Sequence, residues 1–455
     1  MSCSLSGAKS AIDPYLHCAD EAGSLWSGDY GCTRPFSLVF SSFDSASNLK
    51  LGGKTTSFDC GKVGDVLYKV WAQVDLPAAG GYSVDANYSV GVDAAANGMT
   101  ADEYAAFSSV YSSGQGAAHD AAAAEACLPY YQNGAPFAFL QKVVFKVNGS
   151  AVDTLYGENM YVDYQQSDKS ARGLDSSVGI ASGADLRAMT AAGMRAIVEL
   201  PFFFSHSSFN AYKLAAHGNV KLTVELTCRD VQDLLRFPYG SSTNAIVNGG
   251  SAAANAGAAV RLFTAQAVVS DEERESIWNS ANDSLIVQNS QAFDGEAVPA
   301  SGAASKKKFT LAGQGPVRDI HFWFNVSQPD TMAAPYFNTL SGHGFAGDQS
   351  FDSMDFMVNS QKVHDTLSAE MLKAGMAAIG GHNPSGRYYN LRMCLAPRDM
   401  YQPTGSVALF RHESVAMTFE WLAAHAACTF NCVVQYYNVM RLRKGSLGFK
   451  LSCSS

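Results

Sequence analysis

The feature that most constrains the fold is a set of short segments in which apolar residues recur at every second position. In Val220–Leu226 the alternation with polar residues is strict, and Tyr68–Leu76 has the same period of two, with Trp71 among the intervening residues. Successive side chains of a β-strand point to opposite faces of the sheet. Each segment is therefore predicted to be a strand that is buried on one face.

The same alternation returns in the second half of the chain, in Ile320–Val326, Tyr389–Leu395 and Val415–Trp421. Clear helical spacing, with apolar residues three or four positions apart, is confined to Gln361–Ile379. Separated strands, long loops and little helix favour an all-β sandwich or jelly roll over a parallel α/β fold.

The length of 455 residues fits two or three ordinary domains, or two large all-β units of roughly 200–250 residues each. The stretch 239–259 is uncharged and rich in Gly, Ala and Ser, which makes it the strongest candidate linker. We therefore predict an N-terminal arm (1–30), a first β domain (31–238) with a surface insertion (78–126), the linker (239–259) and a second β domain (260–455). A further low-complexity loop is predicted over 294–308.

The composition excludes several classes of partner. A formal net charge of −9 is unsuited to coating nucleic acid, so no direct nucleic-acid partner is expected. No apolar stretch is long enough to cross a bilayer, and the first residues lack the features of a signal peptide. Charged residues make up only 16% of the chain, which suits a protein that shares much of its surface with neighbours.

No catalytic, cofactor-binding or metal-binding residue is predicted, and no cofactor is expected. The chain contains no G-x-S-x-G turn and no H-E-x-x-H pair. The ten cysteines lack paired CxxC spacing, so Cys428 and Cys432 are expected to be buried free thiols. Lys306–Lys308 is expected to lie in an exposed, solvated loop.

Several motifs occur in a characteristic order along the chain. They are Val143–Tyr164 with the turn Asn148-Gly149, Leu200–Leu226, Asp271–Arg274 followed by Leu285–Gln288 and Gln291, Arg318–Gln328, Tyr389–Leu409 with Pro397, Gln402-Pro403 and Gly405-Ser406, and Gln435–Leu442 followed by Gly445 and Gly448-Phe449. In this order, the motifs resemble the double jelly-roll major capsid proteins of nucleocytoplasmic large DNA viruses, although that family usually has a second Gly in place of Asn148. The resemblance covers roughly residue 140 to the C-terminus.

The resemblance implies two tandem eight-stranded jelly rolls with short helices and long loops. It also implies a non-enzymatic structural protein whose homotrimers form pseudo-hexagonal capsomers of an icosahedral outer shell. The expected partners are other copies of the chain, minor capsid and penton proteins, and an internal viral membrane reached through the N-terminal arm. The expected location is the virion capsid, after assembly in the host cytoplasm.

Three alternatives remain open from the sequence. A two-domain β-sandwich carbohydrate-binding protein would also use Tyr and Trp beside Asn and Asp. An enzyme built on a sandwich would need converging carboxylates or a histidine cluster, and the sequence shows neither. A minor capsid or penton protein is usually a single roll, which the length disfavours.

Overall fold

In the computed structural model of the chain, the described residues are 34–44, 54–78, 130–165, 167, 173–181, 183–206, 208–217, 221–236, 257–279, 284–313, 315–326, 350–364, 366–378, 388–395, 403–425, 427–443 and 446–449. Almost all of them belong to the unit Ser37–Ser455. The predicted arm (1–30), nearly all of the predicted insertion (78–126) and most of the predicted linker (239–259) lie outside the described residues and stay predictions.

The described part of the chain is built mainly of strands. They are β1 (Phe36–Asp44), β2 (Thr55–Cys60), β3 (Val66–Leu76), β4 (Tyr130–Tyr131), β5 (Leu140–Val147), β6 (Ser150–Tyr156), β7 (Met194–Leu200), β8 (Tyr212–Lys213), β9 (Leu222–Cys228), β10 (Leu235–Arg236), β11 (Ala259–Val269), β12 (Ser284–Val298), β13 (Ser305–Leu311), β14 (Val317–Val326), β15 (Ser353–Val358), β16 (Gln361–Lys362), β17 (Leu367–Ser368), β18 (Tyr388–Arg392), β19 (Val415–Trp421), β20 (Cys428–Arg443) and β21 (Ser446–Phe449).

The helices are short. They are α1 (Ala135–Phe139), α2 (Gly157–Gln165), α3 (Gly183–Ala192), α4 (Asp271–Asn279) and α5 (Ala369–Ala378). Helix α4 begins at Asp271, and acidic residues fill its first turn, where they complement the helix dipole. No helix among the described residues is long and apolar enough to span a membrane.

Most of the strands form two pairs of sheets, one pair in each half of the chain, while β4 and β10 form a separate two-stranded sheet. Sheet 1a has the order β1-β11-β3-β7 and sheet 1b the order β2-β9-β5-β6, whereas sheet 2a is β12-β20-β14-β18 and sheet 2b is β13-β19-β15-β16. When the eight main strands of each half are numbered in chain order, both halves contain the sheets 1-8-3-6 and 2-7-4-5. A jelly roll consists of eight strands that form two facing sheets and are connected as two Greek keys. The predicted fold of two tandem eight-stranded jelly rolls, hereafter roll 1 and roll 2, is thus confirmed.

Strand β11 shows where roll 1 ends. It pairs with β3, with Ala259 opposite Asp75 and Ala267 opposite Val66. Residues 259–269 therefore complete sheet 1a, whereas the sequence had placed the start of the second domain at 260. The difference arises because sheet membership is decided by hydrogen-bonding partners far away in the chain, which the local residue pattern does not reveal.

The core of roll 1 lies between sheets 1a and 1b, and the alternation predicts its members correctly. Val70 and Val74 of β3 and Val224 and Leu226 of β9 are all buried. They belong to one continuous apolar cluster.

An aromatic corner closes this core after β7. The apolar run Leu200–Phe204 forms this corner, since β7 ends at Leu200 and Phe202, Phe203 and Phe204 are buried in the turn that follows. The ring centroid of Phe145 lies 5.4 Å from that of Phe202 and 5.2 Å from that of Phe204.

Roll 2 has an aromatic core of its own. Phe419 lies edge-on to Phe324, with the ring centroids 5.0 Å apart, and Phe309 stacks on Phe430 at 4.2 Å. Edge-to-face and offset contacts of this kind add to the free energy gained by burying the rings.

Two local predictions are revised by the structure. The helix predicted over 361–379 is helical only in α5, because Asn359 and Ser360 adopt positive φ angles (49° and 65°) and turn the chain back to pair β16 with β15. The loop predicted over 294–308 is shorter, since β12 continues to Val298 across a bulge between Phe293 and Glu296.

The hairpin turn between β5 and β6 permits a clean test of backbone conformation. Asn148 and Gly149 have φ angles of 51° and 84°, as in the type I′ turn that Asn-Gly favours. A Cβ atom at Gly149 would meet nothing within 4 Å. We expect Gly149→Ala to lower the free energy of unfolding by about 1–2 kcal/mol, because L residues are strained at that φ. Chemical denaturation measures the change.

The matched control for this substitution is Gly302→Ala. A Cβ atom there also meets nothing within 4 Å, and Gly302 is not among the glycines with positive φ. Its free energy of unfolding is expected to change by less than about 0.5 kcal/mol. Equal losses in the two variants would contradict the role of the turn conformation.

Candidate functional site

The described residues contain no group of three or more His, Cys, Asp or Glu side chains that could hold a metal ion. Cys428 and Cys432 lie on β20 as buried free thiols. Burial raises the pKa of Cys428 to about 12 and that of Cys432 further still. Both thiols therefore stay protonated and unreactive at neutral pH. Partners can bind on the outward faces of the four large sheets.

The outward faces of sheets 1b and 2b are polar. In sheet 1b, Lys146 pairs with Glu225 across β5 and β9. In sheet 2b, Lys306 of β13 lies 3.2 Å from Glu420 of β19, so the lysines predicted to occupy a loop belong to an edge strand. Charged edge strands resist pairing with other sheets. These two faces have the composition of surfaces in contact with water.

The outward face of sheet 2a is covered by roll 1. Five of its apolar side chains belong to the apolar cluster of roll 1 rather than to the core of roll 2, and these are Val287, Trp323, Tyr388, Val433 and Met440. The contact between the rolls is therefore a buried extension of the roll 1 core, which we call the joint.

Polar side chains fix the position of α2 in the joint. His321 Nδ1 lies 2.8 Å from Asn159 Oδ1, and Gln435 Nε2 donates to both carboxylate oxygens of Asp163 at 3.3 Å. Burial, helped by the charges of Arg318 and Arg392, lowers the pKa of His321 to about 3. His321 is therefore neutral at physiological pH, and its ring serves as a fixed hydrogen-bonding group.

Arg318 joins three strands of sheet 2a beneath this layer. Its Nε atom donates to Asp319 Oδ2 at 2.8 Å and its Nη1 atom to Gln288 Oε1 at 2.6 Å, while Nη2 donates to Gln435 Oε1. Because a buried charge is costly unless it is paired, this arrangement allows Asp319 to lie in the joint.

A buried carboxyl group borders the joint on the roll 1 side. Asp153 of β6 accepts the backbone N–H groups of Thr154 at 2.9 Å and Phe203 at 3.0 Å, and burial raises its pKa from 3.8 to about 7. The folded protein holds this proton more tightly than the unfolded chain. Asp153 therefore contributes stability that is complete below pH 3.8 and is lost as the pH rises through about 7.

Replacing Asp153 should remove this pH dependence. We expect the melting temperature of Asp153→Asn, relative to that of the unmodified protein, to rise as the pH increases through this interval. Asp59→Asn, at an exposed position of β2 (side chain 66% exposed), controls for the loss of one negative charge. Parallel pH profiles for Asp153→Asn and the unmodified protein would show that Asp153 titrates alike in the folded and unfolded states.

The outward face of sheet 1a carries an apolar patch that the described residues of a single copy leave exposed. Leu38, Phe40 and Ile197 have 45%, 67% and 51% of their surface exposed. Trp71 lies between them, with its ring centroid 6.2 Å from that of Phe40, and Phe263 is paired with Trp71 across β11 and β3. We call these five residues the roll 1 face.

Ion pairs surround the roll 1 face. Lys69 lies 3.2 Å from Glu199, and Arg195 lies 2.7 Å from Asp75. An apolar patch rimmed by charged residues is typical of a protein interaction site. The residue pattern alone did not predict this face. The signal available was the alternation of Phe36, Leu38 and Phe40 in β1, which indicates a strand but not whether that strand is covered.

The repeated 1-8-3-6 and 2-7-4-5 sheets place the chain in the double jelly-roll class, and comparison with solved structures agrees. One similar structure is the crystal structure of PBCV-1 VP54, which was fitted into a cryo-EM reconstruction of the virophage Sputnik. It superposes on this chain with a TM-score of 0.68 at 14% sequence identity, and the match covers 94% of this chain and 99% of VP54. The Faustovirus major capsid protein superposes with a TM-score of 0.64 at 11% identity, over 93% of both chains. The mavirus major capsid protein superposes with a TM-score of 0.51 at 9% identity, over 97% of this chain and 95% of that one.

These identities are low, so the likeness concerns the fold. A scan against family models and a search of curated proteins found no match. The resemblance indicated by the order of sequence motifs is confirmed at the level of fold, since the chain superposes over nearly its whole length on double jelly-roll proteins.

Proposed function

We propose that this protein is a major capsid protein whose homotrimers form the pseudo-hexagonal capsomers of an icosahedral outer shell of a large DNA virus. The main support is that two rolls of identical topology occur in one chain. The outward face of sheet 2a is covered by roll 1, whereas the equivalent face of sheet 1a has exposed apolar residues. The role is structural and non-enzymatic, and its location is the virion capsid after assembly in the host cytoplasm.

The contact within one chain, at the joint, supports a specific mode of association between copies. Within one chain, α2 lies between the fifth and sixth strands of roll 1 and contacts the outward face of sheet 2a. Sheet 1a is the counterpart of sheet 2a in roll 1. An equivalent contact on the outward face of sheet 1a would have to come from roll 2 of another copy. Because this contact joins two different surfaces, it can be repeated from copy to copy, head to tail, until the copies close into a ring.

Helix α5 is the element of roll 2 that corresponds to α2. It also lies between the fifth and sixth strands of its roll, and Met371 on it is 59% exposed. In the proposed ring, α5 of one copy lies on the roll 1 face of the next. Three copies would then present six rolls in alternation, which gives three-fold symmetry a hexagonal outline.

Further partners follow from the same proposal. Minor capsid and penton proteins would bind at capsomer boundaries, and the N-terminal arm (1–30) would reach an internal viral membrane. The net charge of −9 argues against direct contact with the genome.

Light scattering coupled to size-exclusion chromatography tests the proposal on the purified full chain. The expected mass corresponds to three copies of 48.4 kDa, and negative-stain images should show hexagonal particles. A stable monomer under conditions that favour assembly would overturn the proposal. Binding of glycans by that monomer would instead support a carbohydrate-binding protein.

A further inference from the structure

A block of polar side chains on β14 and β18 faces the joint. In the antiparallel register, Trp323 is opposite Tyr388, His321 is opposite Asn390 and Asp319 is opposite Arg392. The residues that alternate with them on β14, which are Ile320, Phe322 and Phe324, belong to the core of roll 2. The block therefore points away from that core and toward roll 1.

Several atoms of this block have no hydrogen-bonding partner among the residues that the structure describes. They are Trp323 Nε1, the Tyr388 hydroxyl, Asp319 Oδ1, and both Oδ1 and Nδ2 of Asn390. Trp323 and Asn390 are each 4% exposed, and Tyr388 and Asp319 are each 1% exposed. Bulk water therefore does not reach them.

Buried polar groups in native proteins are almost always hydrogen-bonded, and ordered water supplies the partner where the protein does not. The four side chains offer both donors and acceptors, since the indole donates, the carboxylate accepts, and the hydroxyl and amide do both. A water molecule, with two donors and two acceptors, suits this mixture.

The charges around the block favour a neutral ligand over an ion. Arg318 already pairs with Asp319 at 2.8 Å. His321 is hydrogen-bonded to Asn159 and neutral, because burial lowers its pKa. An added cation or anion would leave an uncompensated charge in the joint.

We propose that a row of ordered water molecules lies in the joint between the rolls along β14 and β18, bound by Asn390, Tyr388, Trp323 and Asp319. More than one water is needed, because Asp319 and Trp323 are four residues apart on β14, which is about 13 Å along a strand. The contact between the rolls is then hydrated on its β14–β18 side and dry around Val287 and Val433. Bridging water matches two polar surfaces that lack complementary side chains of their own.

A map of the purified full-length protein, at a resolution that shows ordered water, tests the site directly. We expect discrete density at hydrogen-bonding distance, ~2.7–3.2 Å, from Asn390 and from at least one of the other three side chains. Continuous density of a protein side chain in that position, or direct hydrogen bonds among the four residues, would overturn the proposal.

Tyr388→Phe provides a second test that preserves side-chain volume. A hydroxyl that binds water stabilises the folded protein, so we expect the variant to melt a few degrees lower. Tyr389→Phe is the matched comparison, because the Tyr389 hydroxyl accepts the backbone N–H of Ser350 at 3.2 Å. An unchanged or higher melting temperature for Tyr388→Phe, beside a lower one for Tyr389→Phe, would contradict a bound water.

Discussion

Replacing Phe40 with aspartate is expected to prevent copies of the chain from associating while each copy still folds. Phe40 is 67% exposed in a single copy, so the fold does not depend on burying it. In the proposed ring it is covered by roll 2 of a neighbour. Burying a phenylalanine side chain contributes roughly 1.5–3 kcal/mol, so each contact should weaken by about 10–100-fold. Size-exclusion chromatography with light scattering should show a monomer.

Two further variants make this result specific. Ile197→Asp, on the opposite edge strand of the same face, should act in the same way. Thr310→Asp introduces the same charge at an exposed position of sheet 2b and should leave the trimer unchanged. Trimers that persist in both Phe40→Asp and Ile197→Asp would show that the roll 1 face is not the contact between copies. Circular dichroism verifies that the variants are folded.

Replacing Arg318 with methionine is expected to cause a large loss of stability. Arg318 is 5% exposed and donates to Asp319, which is 1% exposed. Methionine fills much of the same volume but leaves the carboxylate of Asp319 without the cation that contacts it directly. Removing one partner of a buried ion pair costs about 3–5 kcal/mol. Chemical denaturation measures this loss.

The control removes a more exposed ion pair. Lys221 lies 3.2 Å from Asp59, and the two side chains are 67% and 66% exposed. Lys221→Met should cost less than about 1 kcal/mol, because water screens and replaces such pairs. A similarly small loss for Arg318→Met would show that the remaining groups of the joint, including Arg392, compensate for Asp319.

Local alternation was sufficient to locate many of the strands. β19 coincides with a segment that was assigned from a period-two pattern, and β3, β9 and β14 overlap such segments with ends that differ by two or three residues. The pattern arises because a half-buried strand places apolar residues at every second position. Strand β11 was obscured by its buried polar residues. Gln266 is fully buried because its side chain accepts the backbone N–H groups of Val63 and Gly64, and such a residue interrupts an apolar pattern.

The candidate site was less accessible to sequence reasoning. In the joint, Asp163 comes from α2, whereas His321 and Gln435 come from β14 and β20, so the set is assembled only when the rolls pack. No spacing along the chain brings these residues together. Their types alone suggested solvated surface groups as readily as buried ones.

The sequence by itself determined that this chain forms many half-buried strands, in the order of motifs that resembles a double jelly roll. Only the tertiary structure decided which sheet faces are covered. Phe40 of β1 and Trp323 of β14 both occupy outward positions of equivalent sheets, yet one is 67% exposed and the other 4%. Alternation distinguishes the two faces of a strand, but whether the outward face is covered depends on packing between rolls that are distant in the chain.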